Sequence, residues 1–223
     1  APMSPLGIAA LAQEAGLPDG LLNVLPGFGN EVGVPLTTHP GISHISFVGS
    51  TLTGRAIMRS AAENLTPVKL ELGGKSPNVV FADADLDLAV DTIVESITEN
   101  AGQNCYAGSR LLVQDTVYDE VVERVAARMR EQRMGAWHED LDLGPLINDA
   151  QYERVTGYLD VAAAEGARLV AGGPAAGAEG LYVAPTLYDQ VTPDMRIARE
   201  EVFGPVIAAE SFRTAAEAID RVN

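Results

Sequence analysis

The amino-acid sequence predicts an α/β fold with a largely parallel sheet. Short apolar runs bounded by glycine or proline alternate along the chain with longer segments whose apolar residues recur at helical spacing. This alternation favours strands joined by crossover helices, which place neighbouring strands parallel to each other. Of the 223 residues, 47% are apolar, which is sufficient for one large or two small buried cores.

The individual elements follow from these patterns. The predicted strands cover residues 21–25, 42–48, 68–72, 78–81, 110–114, 168–171 and 182–187. The predicted helices cover residues 6–15, 52–64, 86–100, 117–132, 151–165 and 215–222. The stretch AGGPAAGAEG, residues 171–180, is rich in small residues and predicts a surface loop. We predict a domain boundary at Gly73-Gly74, which gives domains of residues 1–73 and 74–223.

Composition narrows the classes of function. The 15 Lys and Arg residues against 31 Asp and Glu residues give a net charge of −16, so neither nucleic acid nor membrane is an expected partner. No apolar run approaches the ~18 residues that span a bilayer, and the first residues do not predict a signal peptide. Cys105 is the single cysteine, which fits a reducing compartment and an expected cytoplasmic location. The three scattered histidines offer no zinc-ligand spacing, so no metal site is expected.

The first candidate site is the strand–turn–helix at residues 44–58, HISFVGSTLTGRAIM. A helix that begins directly after Gly49, Ser50 and Thr51 would present free backbone N–H groups and the positive end of its dipole. With the two hydroxyls and the small Gly54, these groups suit an anion such as a pyrophosphate. The alternative is an ordinary N-cap by Ser50 or Thr51. The turn lacks the GxGxxG pattern of dinucleotide-binding folds, so the local pattern leaves both interpretations open.

The second candidate is Glu71, in the segment KLELGGKSPNVVF at residues 69–81. The GKS within this segment resembles the end of a phosphate-binding loop, but Lys69 stands where that loop requires glycine, which argues against a nucleoside triphosphatase. Glu71 ends an apolar strand between two leucines. We expect its carboxylate to be partly desolvated, as suits a general base working near neutral pH. The alternative is a strand-end glutamate that faces solvent.

The third candidate is Cys105, in ENAGQNCYAGSR between a predicted helix and a predicted strand. Gly102 and Gly108 bracket the cysteine, so the backbone can bend there and expose the side chain. A thiolate attacks carbonyl carbon, and neighbouring backbone N–H groups can hold the oxyanion that results. The alternative is that a lone cysteine is a small buried apolar residue.

The fourth candidate is the carboxylate pair Glu200 and Glu201, followed by Phe203 and then by glycine and proline. A carboxylate can accept hydrogen bonds from both hydroxyls of a ribose, and an aromatic ring can lie against a sugar or a nicotinamide. The alternative is a solvated charge pair before a turn.

Taken in order, these motifs resemble the aldehyde dehydrogenase superfamily. The resemblance runs from EAGLPDGLLNVLPGFG through FVGSTLTGR, LELGGKSPNVVFADADLD, GQNCYAGSRLLV and DLGPLI to EEVFGPV. It implies a parallel-sheet fold in which residues 1–73 are the second half of a Rossmann-type cofactor domain. Residues 74–223 would then be most of the catalytic domain.

The resemblance also implies the chemistry. Cys105 would be the nucleophile that forms a thiohemiacetal and then a thioester, with its own N–H in the oxyanion hole, and Glu71 would be the base that activates water. The cofactor, NAD or NADP, would contact Gly49, Ser50, Gly54, Leu72, Glu201 and Phe203. The substrate would be a small-molecule aldehyde, and the parent enzyme a homodimer or homotetramer.

Members of the family are roughly twice as long as this chain. The segments without a counterpart here include an asparagine of the oxyanion hole, and loss of such a donor costs a factor of ~10²–10³ in rate. The expectation is therefore that the 223 residues alone have little activity. Two other interpretations remain: a non-catalytic structural or interaction protein, and a cofactor-free thioesterase or esterase.

Overall fold

The computed structural model describes residues 2–174 and 180–223. The chain forms two compact units, Ala1–Gly73 and Gly74–Asn223. Both units combine helices with parallel strand pairs, which confirms the predicted α/β class.

The unit Ala1–Gly73 contains a two-stranded parallel sheet and three helices. Its strands are β1 (Ile45–Gly49) and β2 (Val68–Leu72), paired from Ile45–Val68 to Gly49–Leu72. Its helices are α1 (Met3–Glu14), α2 (Val34–Thr38) and α3 (Thr51–Ala62), with a π-helical turn at Gly29–Gly33. The predicted strand at residues 21–25 is wrong, because these residues form bends and irregular backbone. The apolar run has no partner strand, and Leu21 is 69% exposed.

Burial in this unit is slight. The buried residues among 2–73 are Gly54, Ile57 and Ala61, all on α3. Helix α1 buries none of its residues. A two-stranded sheet with so small a core is marginally stable by itself.

We therefore expect limited proteolysis to cut within residues 1–73 well before it cuts within residues 74–223. The physical reason is that local opening costs little free energy where few apolar side chains are buried. Mass spectrometry of a trypsin time course would identify the surviving fragment. Equal rates of cleavage in the two units would contradict the expectation.

The unit Gly74–Asn223 is built on a five-stranded sheet in the order β3-β4-β7-β6-β5. The strands are β3 (Pro77–Val80), β4 (Arg110–Gln114), β5 (Arg168–Pro174), β6 (Val183–Asp189) and β7 (Val206–Phe212). All neighbours are parallel except β5, which is antiparallel to β6. The helices are α4 (Leu86–Thr98), α5 (Tyr118–Arg130), α6 (Asp149–Ala164), α7 (Arg196–Arg199) and α8 (Ala215–Val222).

Alternating side chains of the central strands fill a core on each face of this sheet. Ile207 and Ala209 of β7 join the cluster that α4 and α5 cover. Val206 and Ala208 point to the other face, where they join the cluster that includes α6. The sheet is thus buried on both sides, as parallel sheets usually are.

Two predictions in this unit need correction. Strand β7 was missed, because VIAAESF is buried on both faces and shows no alternation of apolar and polar residues. The predicted loop at 171–180 begins too early, since β5 continues to Pro174 with bulges at its glycines. Residues 175–179 of that predicted loop lie outside the described residues.

Candidate active site

Three loops of the second unit meet at the amino-terminal edge of its sheet. They contain Gly74, Cys105 and Glu201, and they lead into β3, β4 and β7 respectively. Because β3, β4 and β7 are adjacent and parallel, the segments that precede them lie side by side. The topology therefore brings together motifs that are far apart in the sequence.

Backbone contacts between these loops are close. The Gly74 N–H donates to Oε1 of Glu201 at 3.2 Å, and a Cβ on Gly74 would lie 2.9 Å from the Cys105 carbonyl oxygen. A Cβ on Gly102 would lie 2.3 Å from the carbonyl oxygen of Gly204. A side chain at Gly74 or Gly102 would therefore clash with the backbone of a neighbouring loop.

Cys105 is exposed, which decides against the alternative of a small buried apolar residue. It follows an irregular 3₁₀ segment, Glu99–Gly102, in which Asn100, Ala101 and Gly102 all have left-handed backbone with φ of 50°, 54° and 69°. Among the described residues, no acceptor takes the Cys105 N–H. This N–H is therefore free to bind an oxyanion beside the thiol.

Gly108 has a packing role and does not bend the backbone into a left-handed conformation. A Cβ there would lie 2.2 Å from Nδ2 of Asn78 and 2.6 Å from Oγ of Ser96. Gly102 alone of the two bracketing glycines has a positive φ.

The two carboxylates of the fourth motif have different surroundings. Glu200 accepts from Arg196 Nε at 3.0 Å and from the Tyr158 hydroxyl at 2.7 Å. These two hydrogen bonds, that from Arg196 first, lower the pKa of Glu200 to about 2. Glu201 instead accepts from the Gly74 backbone. Glu200 therefore stabilises the fold, while Glu201 lies with the Cys105 loop.

Two residues of α6 that the sequence analysis did not identify hold the Glu201–Phe203 backbone. Gln151 Nε2 donates to the Phe203 carbonyl at 2.7 Å, and the Arg154 guanidinium donates to the Glu201 and Val202 carbonyls. Phe203 itself has a left-handed φ of 61°. These contacts fix a strained turn, and no local sequence signal marks them because the partners are about 50 residues away in the chain.

The first unit carries the remaining predicted cofactor residues. Ser50 is the N-cap of α3, and its Oγ accepts from the Thr53 N–H at 3.2 Å, so the N-cap interpretation is confirmed. The N–H groups of Thr51 and Leu52 donate to no acceptor among residues 2–174 and 180–223. Gly49 ends β1, and these free groups follow it directly.

The close packing of α3 on β2 depends on Gly54. A Cβ at this position would lie 2.7 Å from Cδ2 of Leu72. The glycine therefore lets the first turn of α3 approach the end of β2.

The expected desolvation of Glu71 is wrong. Its side chain is 58% exposed and lies 3.4 Å from Lys69 Nζ. Alternation along β2 explains the difference, because Leu70 and Leu72 point to the face covered by α3 while Glu71 points away from it. Neighbours in the sequence of a strand do not bury each other's side chains.

Comparison with known proteins identifies the family. The model for the aldehyde dehydrogenase family matches residues 1–223. The chain belongs to the aldehyde dehydrogenase family. The resemblance inferred from the motifs is confirmed.

Known aldehyde dehydrogenases are similar to this chain in sequence and in structure. Retinal dehydrogenase 2 of Mus musculus is 44% identical over 224 residues, which cover 100% of this chain and 43% of that protein. An aldehyde dehydrogenase of Bacillus cereus is 43% identical with a TM-score of 0.97, covering 100% of this chain and 45% of that one. Betaine aldehyde dehydrogenase of Staphylococcus aureus, solved in complex with NAD+, is 39% identical with a TM-score of 0.96, over 100% and 45% of the two chains. This chain thus spans less than half the length of these relatives.

The described part of the chain holds no group of three or more His, Cys, Asp or Glu side chains suited to a metal ion. No helix within residues 2–174 and 180–223 is both long enough and apolar enough to cross a bilayer.

Lys75, next to Gly74, carries a buried charge whose burial sequence reasoning did not predict. Its Nζ is buried and has no hydrogen-bond partner among the described residues. Burial, and then the charge of Arg110, lower the pKa of Lys75 from 10.5 to about 8, while the carboxylates of Glu201 and Glu200 act in the opposite direction. A buried cation beside the Glu201 loop costs stability.

Replacing Lys75 by methionine is expected to stabilise the fold at pH 7 by on the order of 2–3 kcal/mol. Because the folded pKa lies below the unfolded one, the unfolded chain binds more protons between pH 8 and 10.5. The contribution of Lys75 to stability should therefore rise with pH across this window and fall again as pH returns to 8. Urea unfolding at several pH values would measure this contribution as the difference in stability between the parent chain and Lys75→Met. A variant less stable than its parent at pH 7 would contradict this account.

Proposed function

We propose that this protein oxidises an aldehyde to a carboxylic acid with NAD+, through a thiohemiacetal and a thioester on Cys105. The observation that carries the proposal is the contact of Gly74 with both the Glu201 side chain and the backbone of Cys105, whose thiol is exposed. Membership of the aldehyde dehydrogenase family over residues 1–223 supports the same reaction.

Cys105 performs the first step. Its thiolate forms a bond to the carbonyl carbon of the aldehyde, and the carbonyl oxygen becomes an alkoxide. The free Cys105 N–H donates to this oxygen, which stabilises the charge where it develops. After hydride is lost from the same carbon, the group on sulfur is a thioester.

Water completes the reaction. We assign Glu71 as the base that removes a proton from the attacking water, on the basis of its place in LELGG. The water oxygen bonds to the acyl carbon and the C–S bond breaks, so the carboxylic acid is released and the Cys105 thiolate can take up the proton that the water lost. The solvent exposure of the Glu71 carboxylate is compatible with exchange of this proton with bulk water.

The residues present fit a dinucleotide. The 12-residue helix α3 offers the free N–H groups of Thr51 and Leu52 beside the Ser50 hydroxyl, a set suited to a pyrophosphate.

We assign the remaining cofactor contacts to two groups of residues. The backbone around the pyrophosphate would be that of Gly49, Gly54 and Leu72, and the nicotinamide ribose would contact Glu201 and Phe203. When bound, NAD+ supplies a hydride acceptor. We propose NAD+ and not NADP+ as the cofactor because a similar betaine aldehyde dehydrogenase was solved with NAD+.

Acylation of the single cysteine tests the proposal. Incubation of the chain with p-nitrophenyl acetate should place an acyl group on Cys105, detected by peptide mass spectrometry, at a rate above that of the urea-unfolded chain. NAD+ should slow alkylation of Cys105 by iodoacetamide, and Glu201→Gln should weaken this protection. A thiol that is inert in the folded chain would favour the non-catalytic alternative. Ester hydrolysis without any effect of NAD+ would favour a cofactor-free esterase.

We propose in addition that the 223 residues alone turn over aldehydes far more slowly than a typical enzyme. The small core of residues 2–73 supports this, because a marginal unit cannot hold the α3 turn rigidly. NADH formation from propionaldehyde and NAD+ would measure the rate. A kcat in the usual range of ~1–10³ s⁻¹ would overturn this part of the proposal.

We also propose a cytoplasmic location and self-association into a dimer or tetramer. A free cysteine as the only cysteine fits a reducing compartment. Large exposed apolar side chains, such as Leu52 at 78% and Met58 at 56% on α3, fit a contact between protein surfaces. Light scattering after size-exclusion chromatography would measure the association.

A further inference from the structure

Gln103 connects the turn that carries Cys105 to a second segment of the chain. Its Oε1 accepts from the Ile147 N–H at 2.9 Å, and its Nε2 donates to the Asn100 carbonyl at 3.0 Å. Asn100 returns a hydrogen bond from Nδ2 to the Gln103 carbonyl at 3.1 Å. One side-chain amide thus joins the left-handed turn before Cys105 to a segment 44 residues away.

The far end of this connection is firmly held. Leu146, the neighbour of Ile147, donates its N–H to the Leu181 carbonyl at 2.8 Å. Leu143 and Leu146 are 2% and 3% exposed and belong to the apolar cluster on the α6 face. The position of the Ile147 N–H is therefore fixed by the buried residues that precede it in the chain.

The near end of the connection is strained. Asn100 and Ala101 are non-glycine residues in left-handed conformation, which persists only where the surrounding structure holds it. The Asn100 carbonyl accepts from both the backbone N–H of Gln103 at 3.2 Å and its side chain at 3.0 Å. Gln103 therefore stabilises the conformation that immediately precedes the thiol.

We propose that Gln103 is a positioning residue for Cys105, holding the Cys105 thiol and N–H in the geometry that addition to a carbonyl requires. This inference rests on the proposed function, in which Cys105 is the nucleophile. Attack on a carbonyl needs the sulfur and the oxyanion donor correctly oriented at the same time. Alkylation by iodoacetamide needs only an exposed thiolate. A displaced turn should therefore slow acylation much more than alkylation.

The test compares Gln103→Met with Gln132→Met. Methionine is similar in size to glutamine and removes both amide contacts. Gln132 lies at the end of α5, where its Nε2 donates to the Arg128 carbonyl at 3.5 Å, so it is a matched control for the same substitution. For each folded chain, the rates of acylation by p-nitrophenyl acetate and of alkylation by iodoacetamide would be measured at several pH values.

We expect Gln103→Met to lower the acylation rate about tenfold or more, since a displacement of ~1 Å can cost ~10²-fold. Alkylation should change by less than about twofold, and Gln132→Met should alter neither rate. Gln103→Glu keeps an acceptor for the Ile147 N–H and loses the donor to Asn100, so its acylation rate should fall between those of the parent and Gln103→Met.

Three outcomes decide the matter. If Gln103→Met acylates at the parent rate, the inference is overturned. If acylation and alkylation change by equal factors together with a loss of folded structure by circular dichroism, Gln103 is only structural and the inference is again overturned. If the parent chain itself is not acylated on Cys105, the proposed function fails, which is distinguishable from failure at Gln103.

Discussion

Replacing Cys105 by serine is expected to lower acylation by p-nitrophenyl acetate by ~10³-fold or more. A serine hydroxyl is a far weaker nucleophile than a cysteine thiol, and the sequence has no histidine motif that would activate it. Serine has nearly the same shape as cysteine, so the strained turn at Asn100–Gly102 should persist. The loss would therefore report on chemistry and not on folding.

Release of p-nitrophenol, with the site of acylation located by mass spectrometry, would measure the effect. Tyr106→Phe is a suitable control, because this exposed neighbour only donates its hydroxyl to Glu99 Oε2 at 3.2 Å. The control should acylate within about twofold of the parent. Acylation of Cys105→Ser at the parent rate would show that another side chain is the nucleophile.

Replacing Gly102 by alanine is expected to destabilise the fold by about 4 kcal/mol or more, among the largest effects of single substitutions. A Cβ there would lie 2.3 Å from the carbonyl carbon and oxygen of Gly204 and 2.6 Å from the Pro205 nitrogen. These are backbone atoms that cannot rotate away, and φ is +69°, which also disfavours alanine. The Cys105 loop and the turn at Gly204-Pro205 would have to separate.

Gly157→Ala supplies the matched control for the same chemical change. Gly157 lies within α6, and a Cβ on it would meet nothing within 4 Å. Alanine should raise stability there by ~0.5–1 kcal/mol, because it is the better helix former. Urea unfolding followed by circular dichroism would measure both variants. Equal stabilities for the two variants would contradict the close packing of the loops.

The sequence predicts individual motifs better than their arrangement. The polar, glycine-rich surroundings of Cys105 made an exposed thiol as plausible as a buried one, and the structure shows it exposed. Its proximity to Glu201 depends on β7 lying next to β4, and β7 was not predicted because its residues are apolar on both faces. Long-range pairing of this kind leaves no local pattern.

The errors have equally specific causes. Glu71 was expected to be desolvated by its leucine neighbours, but a strand sends adjacent side chains to opposite faces. Gln103, Gln151 and Arg154 were not assigned because each contacts a backbone group about 44 to 52 residues away. The burial of Lys75 could not be predicted from the GKS pattern, because it depends on the tertiary fold.

The Gly74, Cys105 and Glu201 loops all lie at one edge of the sheet in the second unit. The close contacts that restrict substitutions and insertions are therefore concentrated at that edge. The connections at the opposite edge, residues 81–85 after β3 and 115–117 after β4, contain none of the residues that contact the Gly74, Cys105 and Glu201 loops. Surface connections of this kind accept inserted residues at small entropic cost. That edge is therefore where a reporter peptide could be introduced without disturbing the contacts among the Gly74, Cys105 and Glu201 loops.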